Sequence, residues 1–310
     1  MMRQTQRKPA WLKRQVMATP EMRAVEDLLA DLQLNTVCHE ALCPNRAECF
    51  SRSTATFMIL GRSCTRNCAF CAVGHTRPDA VDAGEPERVA AAVERLGLRY
   101  VVVTSVTRDD LADGGAGQFA AVIAAVRARC PEVMIEVLIP DFAGDAAALQ
   151  TVLDARPDVL DHNVETVPAL YGRVRPQADY ARSLELLRRA AEYAARAEAA
   201  EVAGDAGDAE AADGVGATGS RRIRVKTGFM VGLGERADQV TALMDELRAV
   251  GVEMLTVGQY LQPSAEQLDV VEYVTPEQFA AYEQAARERG FGSVAAGPYV
   301  RSSYHAADML

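Results

Sequence analysis

Three cysteines lie close together in the segment GRSCTRNCAFCAVGH, residues 61–75, where Cys64, Cys68 and Cys71 form C-x3-C-x2-C. Clustered thiolates can hold an iron-sulfur cluster of four irons, which usually takes one thiolate per iron. Three thiolates leave one iron open, and an open position distinguishes a catalytic metal site from a structural one. The spacing of this loop triad therefore predicts a catalytic cluster. The alternative is a zinc knuckle, or a structural cluster whose fourth ligand lies elsewhere.

A second set of cysteines precedes the loop triad. Cys38, Cys43 and Cys49 form C-x4-C-x5-C within CHEALCPNRAEC, and we name them the N-terminal triad. The seventh cysteine, Cys130, stands alone, and we expect it to be a small buried thiol. The other six thus form two candidate metal-binding sets.

The composition is that of a soluble globular protein with one large domain or two ordinary ones. The chain has 310 residues, 49% of them hydrophobic and 25% charged. No apolar run could cross a bilayer and the N-terminus lacks a secretion signal, so we expect a cytoplasmic protein without a membrane partner. Because 33 basic and 43 acidic residues give a net charge of −10, nucleic acid is not an expected partner. Cysteines clustered in the cytoplasm more often bind metal than form disulfides.

Short β-rich runs alternate with helical patterns along the chain. The runs are TFMILG (56–61), YVVVTSV (100–106), MIEVLIP (134–140), VLDHNVE (159–165), IRVKTGFMV (223–231) and MLTVGQY (254–260). This alternation predicts an α/β fold with a parallel sheet, wound by right-handed crossovers into a partial, TIM-like (β/α)6 barrel. Chemistry in such barrels lies at the C-terminal ends of the strands, where the loop triad follows the first run.

The cysteine loop, with aromatic Phe70 before its last cysteine, resembles that of the radical S-adenosylmethionine enzymes. The chain is most similar to one family among them, the lipoyl synthases. The similarity extends over nearly the whole sequence and is carried, in order, by RKPAWLKR, CHEALCPNRAECF, TFMILGRSCTRNCAFCAV, TSVTRDDLADGGAGQF, HNVETVPALYGRVRPQADYARSLELL, KTGFMVGLGE, GQYLQPS, VVEYVTPEQF and GPYVRSSYHA. Such a series is far more specific than any one of its strings.

The resemblance implies a mechanism, a substrate and partners. In this family the cluster on the loop triad gives one electron to S-adenosylmethionine, and the resulting 5′-deoxyadenosyl radical removes hydrogen from unactivated C–H bonds. The substrate is an octanoyl chain on a lysine of a lipoyl carrier domain. Sulfur enters at carbons 6 and 8, with two molecules of S-adenosylmethionine used per lipoyl group. The implied partners are octanoylated carriers (E2 subunits or the glycine-cleavage H protein), a low-potential electron donor and an iron-sulfur cluster carrier.

The resemblance also assigns the N-terminal triad. It implies that Cys38, Cys43 and Cys49 hold a second, auxiliary 4Fe-4S cluster that supplies sulfur, with a serine of RSSY, residues 301–304, as fourth ligand. Oxygen holds iron less tightly than thiolate does, which suits a cluster that must open. If the segment is extended, Ser302 and Ser303 point to opposite sides, and we favour Ser303 as the ligand.

The same resemblance assigns contacts to S-adenosylmethionine, with Phe70 in the same site. Thr104 and Ser105 match positions that contact the methionine amino group. Asn163 and Glu165, with Arg175, match positions that contact the sugar and the carboxylate. Without the resemblance, each of these residues would be expected to form strand-end hydrogen bonds or surface ion pairs.

The resemblance completes a division of the chain into three regions. We expect an N-terminal extension with the auxiliary-cluster cysteines over residues 1–54, the barrel over residues 55–290, and a C-terminal segment that covers the active site over residues 291–310. Residues 197–220 depart from the family pattern, with six acidic residues and no basic ones, and predict a disordered insertion. QPSAEQLDVVEY also departs, because the family usually has basic residues after the serine, so electrostatic docking of an acidic carrier there is in doubt.

Two other functions remain open from the residues. A methylthiotransferase or another two-cluster radical enzyme shares the loop triad and sulfur insertion, but not the pairing of both triads before the second strand together with the serine string. A non-catalytic iron-sulfur protein, such as an electron carrier or cluster scaffold, would not require so large a barrel.

Overall fold

The computed structural model describes residues 7–13, 19–205 and 222–310. Within them, an eight-stranded sheet has its strands in chain order. They are β1 Asn35–Thr36, β2 Thr56–Ile59, β3 Tyr100–Ser105, β4 Met134–Leu138, β5 Val159–Asp161, β6 Arg224–Val231, β7 Met254–Gln259 and β8 Ser293–Gly297. Strand β1 is antiparallel to β2, and β2 to β8 are mutually parallel.

The helices that the structure describes connect these strands and flank the sheet. They are α1 Pro20–Asp31, α2 Val37–Glu40, α3 Arg46–Ser51, α4 Glu85–Arg95, α5 Ala116–Arg129, α6 Ala146–Asp154, α7 Tyr171–Val174, α8 Tyr180–Asp205, α9 Ala237–Ala249 and α10 Pro276–Glu288, with 3₁₀ turns at Ala10–Leu12, Phe142–Gly144, Pro168–Leu170 and Ala306–Met309. None of the helices in this part of the chain is long and apolar enough to cross a membrane.

Local sequence sets several helix starts. The Thr19 side chain accepts a hydrogen bond from the N–H of Met22 at 3.2 Å, and Pro20 occupies the first position of α1. Thr275 and Pro276 begin α10 in the same way. A threonine cap satisfies an N–H that the helix itself cannot, and proline loses nothing at the first position because its missing N–H would be unpaired there.

The predicted α/β class and the parallel, TIM-like partial barrel are confirmed. All six predicted strands are present, but both chain ends add a strand to the sheet. Strand β8 lies in the C-terminal segment and extends the parallel sheet beside β7, while β1 pairs with the other edge strand, β2. These two strands were not predicted because β8 consists of small residues and β1 has only two residues, so neither carries a strong strand pattern.

The predicted insertion at residues 197–220 begins inside a helix. Residues 197–205 continue α8, which ends at Asp205. The rest of the predicted insertion, residues 206–220, lies outside the described residues. Disorder therefore does not hold for its first nine residues, whose alanine-rich sequence favours a helix.

The C-terminal tail, residues 298–310, enters the barrel beside two glycines. A methyl group on Gly258 of β7 would lie 2.3 Å from the carbonyl oxygen of Val300, and one on Gly228 of β6 would lie 2.9 Å from Ser302 Oγ. A larger residue at either position would collide with the tail. The strand faces at Gly228 and Gly258 are therefore open for the tail to pack inside the barrel.

Candidate active site and metal centres

The loop triad lies directly after β2, at the C-terminal ends of the parallel strands. Backbone hydrogen bonds join its loop to the loops after β5 and β7. The N–H of Ala69 donates to the carbonyl of Val174 at 2.9 Å, and the Ala69 carbonyl accepts from the N–H of Leu268 at 3.0 Å. The cysteine loop is thus fixed across the mouth of the barrel, where the sequence placed it.

The three thiols of the loop triad are neighbours and are free of disulfides. Burial raises the pKa of Cys71 to about 12, and the nearby Cys68 and Cys64 thiols raise it as well. Burial also raises the pKa of Cys68, although the Arg175 guanidinium opposes the change. Thiols of this kind stay protonated until a metal displaces the proton, so metal binding here releases protons.

A buried arginine that the sequence analysis missed anchors the same loop. Arg66 lies between Cys64 and Cys68 and donates two hydrogen bonds to Asp109, at 2.7 and 2.8 Å. Its Nη2 also lies 2.7 Å from Oδ1 of Asp141, which is fully buried. Asp109 follows β3 and Asp141 follows β4, so Arg66 joins the cysteine loop to two further strand ends.

The N-terminal triad lies at the opposite end of β2 from the loop triad. Cys38 is hydrogen-bonded by Thr56, the first residue of β2. Burial raises the pKa of Cys38 to about 11 and that of Cys49 to about 12, and the charge of Cys43 raises both. Because Cys43 acts on both Cys38 and Cys49, and Cys38 acts on Cys49, the three thiols lie together, with β2 between them and the loop triad.

Both triads match the donor chemistry of iron-sulfur clusters. Within the described ranges, no three His, Cys, Asp or Glu side chains converge closely enough to hold a single metal ion. Iron-sulfur clusters instead bind several thiolates around a group of irons, and all six thiols of the two triads are free. Cys130, expected to be buried, is half-buried after α5 and packs against the core, and it belongs to neither triad.

The two serines of the RSSY string have different surroundings, although the segment is a turn rather than extended. Ser302 Oγ donates to Oδ1 of Asn163 at 2.7 Å inside the barrel. Ser303 instead lines a cavity of about 330 Å³ together with Cys49, beside the first residues of β2 and β3. Ser303 is therefore the serine that shares a cavity with Cys49 of the N-terminal triad.

The N-terminal extension and the tail are joined around this cavity. Nδ2 of Asn45 donates to the carbonyl of Tyr299 at 2.7 Å, and the Tyr304 hydroxyl donates to Glu48 Oε1 at 2.9 Å. Asn45 and Glu48 lie between Cys43 and Cys49 in sequence. The tail is consequently attached to the segment that carries the N-terminal triad.

Arg301 connects the two ends of the site electrostatically. Its guanidinium interacts with the Cys43 thiol at one end and with the Glu165 carboxylate at the other, while burial lowers its pKa. Sequence reasoning named Arg301 only as part of the RSSY string. Its position between the two triads was not accessible without the path of the tail.

The predicted S-adenosylmethionine contacts gather at the C-terminal ends of β3 and β5. Thr104 Oγ1 donates to the carbonyl of Leu138 at 2.9 Å, and Arg175 Nη1 donates to the carbonyl of Asn163 at 2.9 Å. Among the described residues, Ser105 Oγ and Arg175 Nε are buried without a hydrogen-bond partner. Buried polar atoms are normally paired, so these two fit a polar ligand in this pocket.

Glu165 is held in a strained backbone conformation in the same pocket. Its φ is 66°, which is uncommon for a residue with a side chain. The strand neighbours keep it there, because its N–H donates to the Gly228 carbonyl and its carbonyl accepts from Met230. Burial raises the pKa of Glu165, and Arg175 opposes the change. Strain of this kind is concentrated at functional sites.

Phe70 forms an apolar wall beside the loop triad. It packs against a small hydrophobic cluster of Val174, Leu233 and Tyr260.

The neighbouring GLGE loop, residues 232–235, does not offer free backbone donors to a phosphate. The N–H groups of Gly232 and Leu233 donate to the carboxylate of Glu235, which occupies the donors that a phosphate would need.

The fold and the cysteine loop define a radical S-adenosylmethionine enzyme, and residues 58–197 match the family model of the Radical SAM superfamily. Among solved structures, methylornithine synthase (PylB) superposes with a TM-score of 0.53 at 13% identity, over 87% of this chain and 74% of that one. HydG, a hydrogenase maturase, superposes with a TM-score of 0.56 at 15% identity, over 76% of this chain and 50% of that one.

Curated relatives specify the family. The lipoyl synthase of Caldanaerobacter subterraneus subsp. tengcongensis is 50% identical over 97% of this chain and 96% of its own length. That of Trichlorobacter lovleyi is 52% identical over 98% of each chain. The chain belongs to the lipoyl synthase family and is a sulfur-inserting enzyme. Membership of the class implies a 4Fe-4S cluster and S-adenosylmethionine as cofactors.

Proposed function

We propose that the loop triad binds the 4Fe-4S cluster that activates S-adenosylmethionine, and that the N-terminal triad with Ser303 binds an auxiliary 4Fe-4S cluster that supplies sulfur. The observation that carries this proposal is the position of the two triads at opposite ends of β2, each with its own protein surroundings. Separate surroundings allow the two thiol sets to have separate roles. A simple electron carrier has no need of a serine beside one set.

The residues between the triads would bind and place the cosubstrate. Ser105 offers a free hydroxyl to the methionine amino group beside Thr104, and Arg175 offers a free Nε to the carboxylate. Asn163 and Glu165 would hold the sugar, and Phe70 would exclude water from one side. When bound, the cluster and S-adenosylmethionine supply a radical that removes hydrogen from an unactivated C–H bond, which no side chain can do.

The proposed substrate is an octanoyl chain on a lysine of a lipoyl carrier domain, with sulfur inserted at carbons 6 and 8. A cavity of about 500 Å³ opens beside Cys68, bounded by Arg173, Glu266 and Asp269, and gives a candidate entry for that chain. Because acidic residues line this opening, a carrier with a mainly acidic face would not be attracted here. An E2 subunit or the glycine-cleavage H protein would be the carrier, and an electron donor and a cluster carrier would support turnover.

The test is anaerobic reaction of the reconstituted protein with S-adenosylmethionine, a reductant and an octanoylated carrier, followed by mass analysis of the carrier. We expect lipoyl product and about eight irons per chain, since each cluster holds four. About four irons per chain in a folded, reconstituted sample would contradict the second cluster.

Single cysteine variants test whether the two triads have separate roles. Cys64→Ala should abolish cleavage of S-adenosylmethionine, because that cluster would lose a thiolate. Cys49→Ala should spare the cleavage and abolish sulfur insertion. Cys130→Ala is the matched control and should change neither, because Cys130 lies outside both triads. Loss of cleavage in folded Cys49→Ala protein that retains the first cluster would refute separate roles.

A further inference from the structure

A buried polar cluster lies inside the barrel below the tail. Lys226 Nζ of β6 is 2.7 Å from Oε1 of Glu136 in β4 and 3.9 Å from Oδ2 of Asp161 in β5, and all three side chains are fully buried. The Tyr100 hydroxyl donates to the other carboxylate oxygen of Glu136. Glu136, Asp161 and Lys226 belong to strands that are mostly apolar, and these three have no place in the site described above.

Two buried carboxyl groups share one buried ammonium in this cluster. Burial raises the pKa of Asp161 well above its usual value, and the neighbouring Glu136 carboxylate raises it too, although Lys226 opposes the change. Lys226 is closer to Glu136 than to Asp161, so Glu136 is its nearer partner in the cluster. A buried pair in balance can persist, whereas a single buried charge is costly.

Lys226 also donates a hydrogen bond to a residue outside the cluster. Its ammonium donates to the backbone carbonyl of Ser302 at 2.6 Å. Ser302 Oγ donates in turn to Oδ1 of Asn163 at 2.7 Å, so the residue immediately before Ser303 is held on two sides. The Ser302 carbonyl belongs to the peptide group that connects the two serines. Because the orientation of this peptide group is fixed, the chain at Ser303 is directed out of the barrel, towards the cavity shared with Cys49.

We propose that Lys226 is a positioning residue for Ser303: by binding the Ser302 carbonyl from inside the barrel, it keeps the Ser303 hydroxyl in the cavity of the N-terminal triad. The inference rests on the proposed function, in which Ser303 is the oxygen ligand of the auxiliary cluster. An ammonium suits the role, because it has three donors and can bond the carbonyl while remaining paired with Glu136.

The decisive variant removes Lys226 without leaving a buried charge unpaired. Lys226→Met combined with Glu136→Gln takes away one cation and one anion. Glu136→Gln alone is the matched comparison, because Lys226 remains and Asp161, at ion-pair distance, can ionise as its partner. Arg127→Met is the control for general destabilisation. Arg127 pairs with the buried Asp158 of the same barrel and has no bond to the tail.

Two measurements on the anaerobically reconstituted protein report the position of the tail. Mössbauer spectra report the ligands of the auxiliary cluster, and Ser303→Ala supplies the reference spectrum for a lost oxygen ligand. Hydrogen exchange followed by mass spectrometry reports the protection of peptides that contain residues 298–310. For the Lys226→Met, Glu136→Gln protein we expect the reference spectrum, tail exchange faster by about tenfold, and S-adenosylmethionine cleavage within about twofold of wild type. Glu136→Gln and Arg127→Met should keep the wild-type spectrum.

A wild-type auxiliary spectrum with normal tail protection in the double variant overturns the proposal. If Ser303→Ala itself gives the wild-type spectrum, the ligand assignment of the proposed function has failed, and the exchange data still decide whether Lys226 holds the tail. Should the double variant not fold, Lys226→Met with Glu136→Leu provides an apolar replacement of similar volume, which buried ion pairs often tolerate. The same two measurements then apply to that variant.

Discussion

Arg66 Nη2 lies 2.7 Å from Oδ1 of Asp141, and this pair is almost completely buried beneath the cysteine loop. Burial alone would raise the pKa of Asp141, but the hydrogen bond and charge of Arg66 lower it to about 2. The carboxylate is therefore ionised at any pH at which the enzyme works. The loop triad thus depends on an ion pair whose partner lies on a different strand end.

Replacement of Arg66 by methionine should destabilise the protein and loosen the cysteine loop. The change leaves the buried Asp141 carboxylate with Arg182, 3.4 Å away, as its remaining cationic partner. Breaking one partner out of a buried ion pair costs up to about 3–5 kcal/mol. We expect that loss in urea unfolding of the cluster-free chain, and lower iron retention by the loop triad after reconstitution. Arg188→Met is the control, because Arg188 pairs with Glu185 and Glu192 on the exposed face of α8 and should have no measurable effect.

His162 should make stability fall with acid between pH 6.5 and pH 4. Burial, with the charge of Arg175, lowers the pKa of His162 from 6.5 to about 4. In that window the unfolded chain binds the proton and the folded chain does not, so the free energy of unfolding rises with pH, by about 3 kcal/mol over the window. Asp161, whose pKa is raised by burial, contributes with the opposite sign.

The contribution of His162 is therefore measured as a difference. His162→Asn can keep the hydrogen bond to the Ile139 carbonyl, which His162 Nδ1 makes at 2.9 Å, but it cannot take up a proton. The gap between wild type and variant in urea midpoint should narrow as the pH falls from 6.5 to 4. A constant gap would show that His162 does not titrate in this way.

Variants of Ser303 in the C-terminal tail should lose sulfur transfer but keep cleavage of S-adenosylmethionine. A tail with a purely structural role has no reason to separate these two activities. Ser303→Ala should leave the auxiliary cluster bound by three cysteines and abolish sulfur transfer, and Ser303→Cys should retain a cluster that is held too well to release sulfur. Both variants should still cleave S-adenosylmethionine, measured as 5′-deoxyadenosine. If Ser302→Ala gave this pattern and Ser303→Ala were fully active, the ligand would be the neighbouring serine.

Gly258→Ala should displace the tail without touching either cysteine set. The added methyl group would lie 2.3 Å from the Val300 carbonyl oxygen, which is backbone and cannot rotate away. A shift of about 1 Å in a positioned group can cost about a hundredfold, so lipoyl product should fall by that order while cleavage of S-adenosylmethionine is retained. Gly292→Ala is the control, because the nearest atom to its methyl group would be 3.8 Å away. Full product formation by Gly258→Ala would contradict a functional role for the tail path.

The residues that spacing and periodicity alone identified are those whose neighbours in sequence are also their neighbours in space. The spacing of each cysteine triad is local, and the apolar runs of the parallel strands are local too, so both were predicted. The place of Arg66 depends on Asp109 and Asp141, which come from other strand ends. Nothing in the sequence next to Arg66 indicates that pairing.

The sequence does contain a signal for the buried cluster around Lys226. Glu136 and Lys226 each interrupt an apolar strand, and charged residues are rarely fully buried unless they are paired. That pattern predicts a buried ion pair. It cannot say which strands meet, because the register that places Asp161 opposite Lys226 arises only when the sheet forms. The path of the tail beside Gly228 and Gly258 likewise requires the closed barrel.

The contacts between the N-terminal extension and the C-terminal tail determine the order in which the two cysteine sites can form. The loop triad needs only a short stretch of chain after β2 and the loops that reach it, the last of them at Leu268. The cavity of the N-terminal triad closes only when Ser303 and Tyr304 have been synthesised and have met Cys49 and Glu48. Contacts between distant parts of a chain form late. During synthesis on the ribosome, the cysteine loop can thus meet the loops that hold it before Ser303 reaches Cys49.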